Sequence, residues 1–117
     1  MENKHIHNLF KAATLGHAVG DALGVPVEFQ MRHYLKDNPI TDMIGWGTYG
    51  VPPGTYSDDT SMSLCLIEAL QQETFDLSYL ADLFLKWKSE AYWNATDDVF
   101  DIGLSTSSAI QNIKIGK

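Results

Sequence analysis

The segment Tyr56-Ser57-Asp58-Asp59-Thr60 sets two adjacent carboxylates between hydroxyl side chains, directly before the most apolar stretch of the chain. Two chemistries are open to it. In one, Ser57 or Asp58 caps a helix, Asp59 complements the helix dipole, and nothing binds. In the other, the clustered oxygens hold a divalent cation. A cap needs only one acceptor, and neighbouring aspartates repel each other, so the second carboxylate favours the cation. Hard oxygen donors with no Cys or His nearby suit Mg²⁺, Mn²⁺ or Ca²⁺ and not zinc. Glu28, on a loop bounded by Gly24 and Pro26, is a further carboxylate able to converge on the same helix mouth. Taken alone it reads as a solvated loop residue.

Other reactive types carry less. Thr96-Asp97-Asp98 imitates Ser57-Asp58-Asp59 but precedes no strongly apolar run, and reads as a solvated turn. Gly16-His17-Ala18-Val19-Gly20 lacks the Lys-Ser/Thr ending and preceding strand of a phosphate loop, so its small residues point to helix packing. His5, His7, His17 and His33 have no metal-ligand spacing on a common element. Cys65 sits in an apolar stretch without a basic neighbour and reads as core filling. Trp87 and Trp93 read as core or interface residues, while Trp46 and Tyr49 in a Gly-rich loop are placed to line a cleft.

The elements that must position these groups follow from periodicity. From His5 to about Leu23, Ile6, Leu9, Phe10 and Ala13 recur at helical spacing, and Ala12, Gly16, Ala18, Gly20 and Ala22 make the second half small-faced. Gly24 and Pro26 stop this helix and leave Glu28 on an ordered loop. Residues 30–56 are rich in Gly and Pro and predict a long loop with at most one short helix, near Met31 to Asp37. A second helix is expected from Ser57 or Asp58 to Leu70, so apolar that it should be central and buried. A third begins near Asp76, with Leu77, Leu80, Ala81, Phe84, Trp87 and Ala91 on one stripe and Asp82, Lys86 and Glu90 opposite. Residues 93–104 read as a connection, and Ser105 is placed to cap a last helix running toward Ile115. With no hairpin pair, repeat or low-complexity tract, the expected class is all-α, as one domain.

Composition limits the partners. A formal charge of −7, from 8 basic and 15 acidic residues, argues against nucleic acid and anionic membranes, so an anionic substrate needs a cation or a helix N-terminus to receive it. One cysteine builds no intrachain disulfide framework, and no apolar run suits a signal peptide or a membrane span, which points to the cytoplasm. Without an export signal, the sequon Asn94-Ala95-Thr96 has no context.

Two motifs in order, Gly20-Asp21-Ala22-Leu23-Gly24-Val25-Pro26-Val27-Glu28 and then Ser57-Asp58-Asp59-Thr60-Ser61-Met62, resemble the signatures of the ADP-ribosylglycohydrolase family, including the dinitrogenase-reductase-type glycohydrolases. A third, Asp101-Ile102-Gly103-Leu104-Ser105-Thr106, is similar to the family's Asp-Ile-Gly-Asn-Thr-Thr. The resemblance implies an all-α fold with two Mg²⁺ or Mn²⁺ ions in a cleft, and hydrolysis of the bond joining ADP-ribose C1″ to a modified protein side chain or related acceptor. It makes Ser57, Asp58 and Asp59 metal ligands, with Ser57 where the family usually has Thr. It makes Glu28 the catalytic glutamate beside the metals, and puts Asp101 near the scissile linkage, where Leu104 replaces an expected Asn.

The family's further ligands come from a C-terminal Asp-x-Asp-Asp/Thr segment that this sequence lacks, since only eleven residues follow Thr106. The chain therefore reads as the N-terminal part of the domain, truncated, with its metals weakly held or absent. An inactive relic and a metal- or ADP-ribose-binding module are the alternatives to an enzyme. Helices lacking their usual neighbours leave apolar surface uncovered, which predicts a homo-oligomer.

Overall fold

The computed structural model describes residues 2–116, so Met1 and the terminal Lys117 lie outside the described residues. Five α-helices are joined by loops and two short 3₁₀ turns, and among the described residues there is no strand beyond the isolated bridge between Trp46 and Val51. The all-α expectation is met. The chain forms two compact units, one ending at Tyr56 and the other starting at Ser57. Among the described residues, no helix is long and apolar enough to cross a membrane.

The first unit is built on α1 (Glu2–Gly24), which begins three residues before the position its apolar spacing marked and runs one residue past Leu23. Pro26 cannot donate a helical hydrogen bond, and the chain tightens there into a 3₁₀ turn, Val25–Val27, with Val25 and Pro26 buried. Helix α2 (Arg32–Asp37) is the short helix expected in the long loop. A second 3₁₀ turn, Gly47–Tyr49, was not foreseen. It packs on the first one so closely that a Cβ on Gly47 would lie 2.0 Å from the Pro26 carbonyl oxygen. Only glycine permits that approach, and its φ of +52° is likewise a glycine conformation.

The second unit packs α3 (Asp58–Leu70), α4 (Leu77–Glu90) and α5 (Leu104–Lys114) around Cys65, Ala69, Leu83, Trp87 and Ile110. Asp76 caps α4 by accepting the Ser78 amide at 2.8 Å, as its sequence position suggests. Three expectations need correction. Helix α3 is not buried all round: Thr60, Ser61, Cys65 and Ala69 face inward, while Leu66 and Leu70 are exposed. Its small and hydroxyl residues let α4 and the 91–103 loop come close, and the larger leucines are left on the outer side. On α4 the inward stripe is Leu80, Leu83, Phe84 and Trp87, so Leu83 replaces Leu77, which is 71% exposed at the helix start. Finally, α5 is capped at Gly103 and not at Ser105, because the extended backbone ends one residue before Leu104.

Candidate functional site

Ser57, Asp58, Asp59 and Asp101 all belong to the second unit, and Glu28 belongs to the first. Ser57 occupies the N-cap position of α3 with extended backbone, and its carbonyl accepts the Ser61 amide at 3.2 Å. Its side chain makes no capping bond. The hydroxyl is instead hydrogen-bonded to the Asp58 carboxylate, which holds that acid toward its charged form against other influences. Ser57 is buried, Asp58 half-buried and Asp59 exposed, so the three consecutive residues form a step from interior to solvent at the helix mouth.

Asp101 reaches the same place from the loop before α5. Burial, then the charge of Asp101, then that of Asp59, push the Asp58 carboxyl above the ordinary carboxylate range. Asp58 is thus within electrostatic reach of two other acidic side chains at the positive end of one helix. Asp101 has φ +54°, in the left-handed region that aspartate enters more readily than most side chains. Backbone strain of this kind survives only where the surroundings impose it.

The loop that leads to Asp101 is held by a network centred on Asn94. The side-chain amide of Asn94 donates to the Asp98 carbonyl at 2.8 Å and to the Thr96 carbonyl at 3.0 Å, while Thr96 Oγ1 donates to the Asp98 carbonyl at 2.7 Å. On its other side, Asn94 Oδ1 accepts the indole N–H of buried Trp87 at 3.3 Å. Ser61 Oγ, in the first turns of α3, donates to the Trp93 carbonyl at 3.0 Å. These bonds fasten the loop to α4 and α3. The Thr96-Asp97-Asp98 segment is the solvated turn expected, and its backbone is a partner of Asn94.

Sequence reasoning passed over Asn94 except as a sequon, and gave Ser61 no role beyond its place in the second motif. The available signal was an amide with four hydrogen-bonding positions in a loop rich in Asp and Thr, the composition of a side-chain-knitted turn.

In the first unit, the Asp21-to-Glu28 motif divides into an inner and an outer part. Ala22, Val25 and Pro26 are buried, and Glu28 is half-buried as the residue closing the 3₁₀ turn. Thr48 Oγ1 lies 2.6 Å from the Glu28 carbonyl and 3.3 Å from that of Pro26, donating to the first and within reach of the second. The next residue, Phe29, has φ +67° and is 81% exposed. Burial and then the charge of Asp21 push the Tyr56 phenol up. A cavity of about 430 Å³ is lined by Val27, Gln30, Tyr34, Asn38 and Ile44 among others, and so opens beside the Glu28 turn. Trp46, placed by its sequence context in a cleft, is 57% exposed and has φ +59°.

The donor set fits a hard cation in kind, since hydroxyl and carboxylate oxygens crowd one helix mouth with a charge excess that a cation would relieve. It is not a closed coordination shell: among the described residues, no three His, Cys, Asp or Glu side chains are gathered closely enough to hold a metal ion. Cys65, by contrast, is fully buried in the core, where burial pushes its thiol up to about 11.

The sequence profile for "ADP-ribosylglycohydrolase" matches residues 2–116. The chain is 35% identical over 102 residues to the ADP-ribosylarginine hydrolase Tri1 of Serratia proteamaculans (strain 568), covering 86% of this chain and 27% of that protein. The corresponding hydrolase of Pseudomonas putida (strain GB-1) gives the same identity and coverage. The ADP-ribosyl-[dinitrogen reductase] glycohydrolase of Rhodospirillum rubrum is 36% identical over 90 residues, 74% of this chain and 31% of that enzyme. The chain therefore spans less than a third of the length of these relatives.

Proposed function

The chain belongs to the ADP-ribosylglycohydrolase family, and from that premise we propose that it carries part of a metal-dependent site that hydrolyses the glycosidic bond between ADP-ribose and a modified protein side chain. An ADP-ribosylated arginine is the substrate favoured by the names of its relatives. The observation that carries the reading is the approach of Asp101 to Asp58 at the mouth of α3, where Asp59 and Ser57 add two more oxygen donors. Residues 1–117 then form the N-terminal portion of a single domain of this type.

Ser57, Asp58 and Asp59 are the proposed ligands of Mg²⁺ or Mn²⁺, and Asp101 is proposed to contact the substrate. A bound cation would supply Lewis-acid polarisation of the water and the ribose hydroxyls. Glu28 takes a proton from the attacking water as its oxygen bonds to C1″ and the C1″–N bond breaks, and the departing guanidine nitrogen regains a proton. The Thr48 bond to the Glu28 backbone keeps that carboxylate on a fixed turn.

The alternative reading is that the chain binds a cation or an ADP-ribose group without turnover. One experiment separates the two. The purified chain is titrated with Mn²⁺ and Mg²⁺ in a calorimeter, then incubated at saturating metal with an ADP-ribosylarginine peptide while free ADP-ribose is measured chromatographically. Metal-dependent release, lost in Asp58→Ala and in Glu28→Ala, supports the hydrolase. Heat of binding without release leaves the binding module, and neither signal overturns both. Self-association belongs to the same reading, because large apolar side chains on α1 are exposed.

A further inference from the structure

One face of α3 carries polar side chains at positions 61, 65 and 68, the i, i+4, i+7 spacing of a single helical stripe. Each reaches α4 or the segment after it. Ser61 Oγ donates to the Trp93 carbonyl, Cys65 Sγ lies 3.9 Å from the Leu83 carbonyl, and the Glu68 carboxylate takes a phenol on each of its oxygens. The Tyr79 hydroxyl, from the start of α4, donates to Oε2 at 3.3 Å, and the Tyr92 hydroxyl, from just past the end of α4, donates to Oε1. Glu68, Tyr79 and Tyr92 are all half-buried. Glu68 is no part of the acidic helix mouth, since it lies ten residues beyond Asp58, about 15 Å along the helix.

A carboxylate presents two charged acceptors to this pair of phenols, where an amide would present one neutral acceptor. The Glu68 bond first, and burial next, push the Tyr92 phenol up to about 12, so its hydroxyl stays a donor across the neutral range. Lys86 Nζ sits over the Tyr92 ring, 4.1 Å from its centroid. Tyr92 is thus held at its hydroxyl and at its ring face. The backbone on either side of it is under strain: Ala91 has φ +56° and Trp93 has φ +58°, in the left-handed region that bulky side chains avoid. Glu68 fixes residue 92 by its side chain and Ser61 fixes residue 93 by its carbonyl, from points about 10 Å apart on one stripe. The hold then passes along the loop through the Asn94 amide to the carbonyls of Thr96 and Asp98, and Val99 and Ile102, on either side of Asp101, pack against the core.

We infer that Glu68 is a positioning residue for the acidic site at the other end of α3: by holding Tyr92 between two left-handed residues, it sets the start of the loop that brings Asp101 to Asp58. That Asp101 serves a metal-dependent site there rests on the proposed function, whereas the setting of the loop by Glu68 does not.

The test compares Tyr92→Phe with Tyr79→Phe in the full chain. Each removes one phenol hydroxyl from the same carboxylate and keeps its ring, so a role confined to packing predicts the same outcome for both. Positioning predicts a difference. In isotope-labelled protein, the amide signals of residues 96–101 shift or broaden in Tyr92→Phe and in Glu68→Gln and stay in place in Tyr79→Phe. Calorimetric Mn²⁺ affinity falls at least about threefold in the first two variants and holds in the third. Circular dichroism checks that all three are folded. Loop signals that stay in place in Tyr92→Phe, or that move equally in Tyr79→Phe, overturn the inference. A loop that moves while Mn²⁺ binding holds overturns it too, because the site is then set without Glu68. Loop signals that move as expected in a chain whose parent binds no Mn²⁺ uphold the positioning of the loop and sink the metal site instead.

Discussion

The indole N–H of Trp87 donates to Oδ1 of Asn94 at 3.3 Å, joining the largest fully buried side chain of the core to the loop that carries Asp101. Position and chemistry are coupled by that bond. The same amide oxygen lies 3.4 Å from Ser61 Oγ, two residues beyond Asp59 on α3, so one side chain references both the α4 core and the acidic helix mouth. Holding two other carboxylates near Asp58 costs energy, and uncharged hydrogen bonds such as these supply part of the rigidity needed for it.

Asn94→Ala is therefore expected to lower stability by about 1–3 kcal/mol, because it takes the acceptor from the Trp87 indole and the amide donor from the Thr96 carbonyl, and leaves the Asp98 carbonyl only its bond from Thr96 Oγ1. Asn94→Asp keeps the acceptor for Trp87 and loses both donations to the loop, so its effect should be intermediate. Urea denaturation followed by tryptophan fluorescence measures the order. Equal stability of all three proteins would show that Asn94 fastens nothing.

Asp101→Asn separates charge from conformation. Asparagine enters the left-handed region at least as readily as aspartate, so the backbone at φ +54° is undisturbed while one repelling carboxylate is removed. In metal-free buffer the variant should be at least as stable as the parent, by up to about 0.5 kcal/mol. In Mn²⁺ it should bind at least about tenfold more weakly if Asp101 helps attract the cation. Unchanged calorimetric affinity would leave Asp101 with a substrate role alone.

The helices were legible because their apolar residues repeat at helical spacing, and Asp76 and the Ser57-Asp58 pair mark two starts by a local preference for caps. The acidic cluster was legible for a different reason, since adjacent carboxylates are conspicuous in any sequence. What was not legible depends on contacts distant in the chain. The 3₁₀ turn at Gly47–Tyr49 exists because Gly47 lies against Pro26, twenty-one residues earlier in the sequence. The inward choice of Leu83 over Leu77 follows from where α3 and α5 cover α4, which periodicity leaves undecided by a fraction of a turn. The oxygen of the Asn94 side-chain amide acts on Trp87 and Ser61, which the Asp- and Thr-rich loop around it does not name.

Cys65 gives a pH dependence with a definite sign. Its thiol titrates near 9.0 when unfolded and at about 11 when folded, chiefly through burial and next through the charge of Glu68. The folded state thus holds the proton more tightly. Its contribution to stability is fully present below about 9 and is lost as pH rises through about 11. Ellman's reagent at pH 8 should react slowly with the folded chain and at once in urea. Rapid reaction without denaturant would place the thiol at the surface.

Gly47 and Gly50 make the sharpest paired test of the first unit. Both have positive φ, +52° and +66°, so alanine at either position meets the same backbone penalty of about 1 kcal/mol. They differ in surroundings: the new methyl would meet nothing at Gly50, but would lie 2.0 Å from the Pro26 carbonyl oxygen at Gly47. Gly47→Ala should accordingly cost roughly 2–4 kcal/mol against about 1 for Gly50→Ala. Because backbone must give way, the turn carrying Thr48 moves off the Glu28 carbonyl, and amide exchange at residues 27–30 should quicken in Gly47→Ala but not in Gly50→Ala. Equal losses in the two variants would mean that the two 3₁₀ turns do not touch, and with that the fixed setting of Glu28 would be gone.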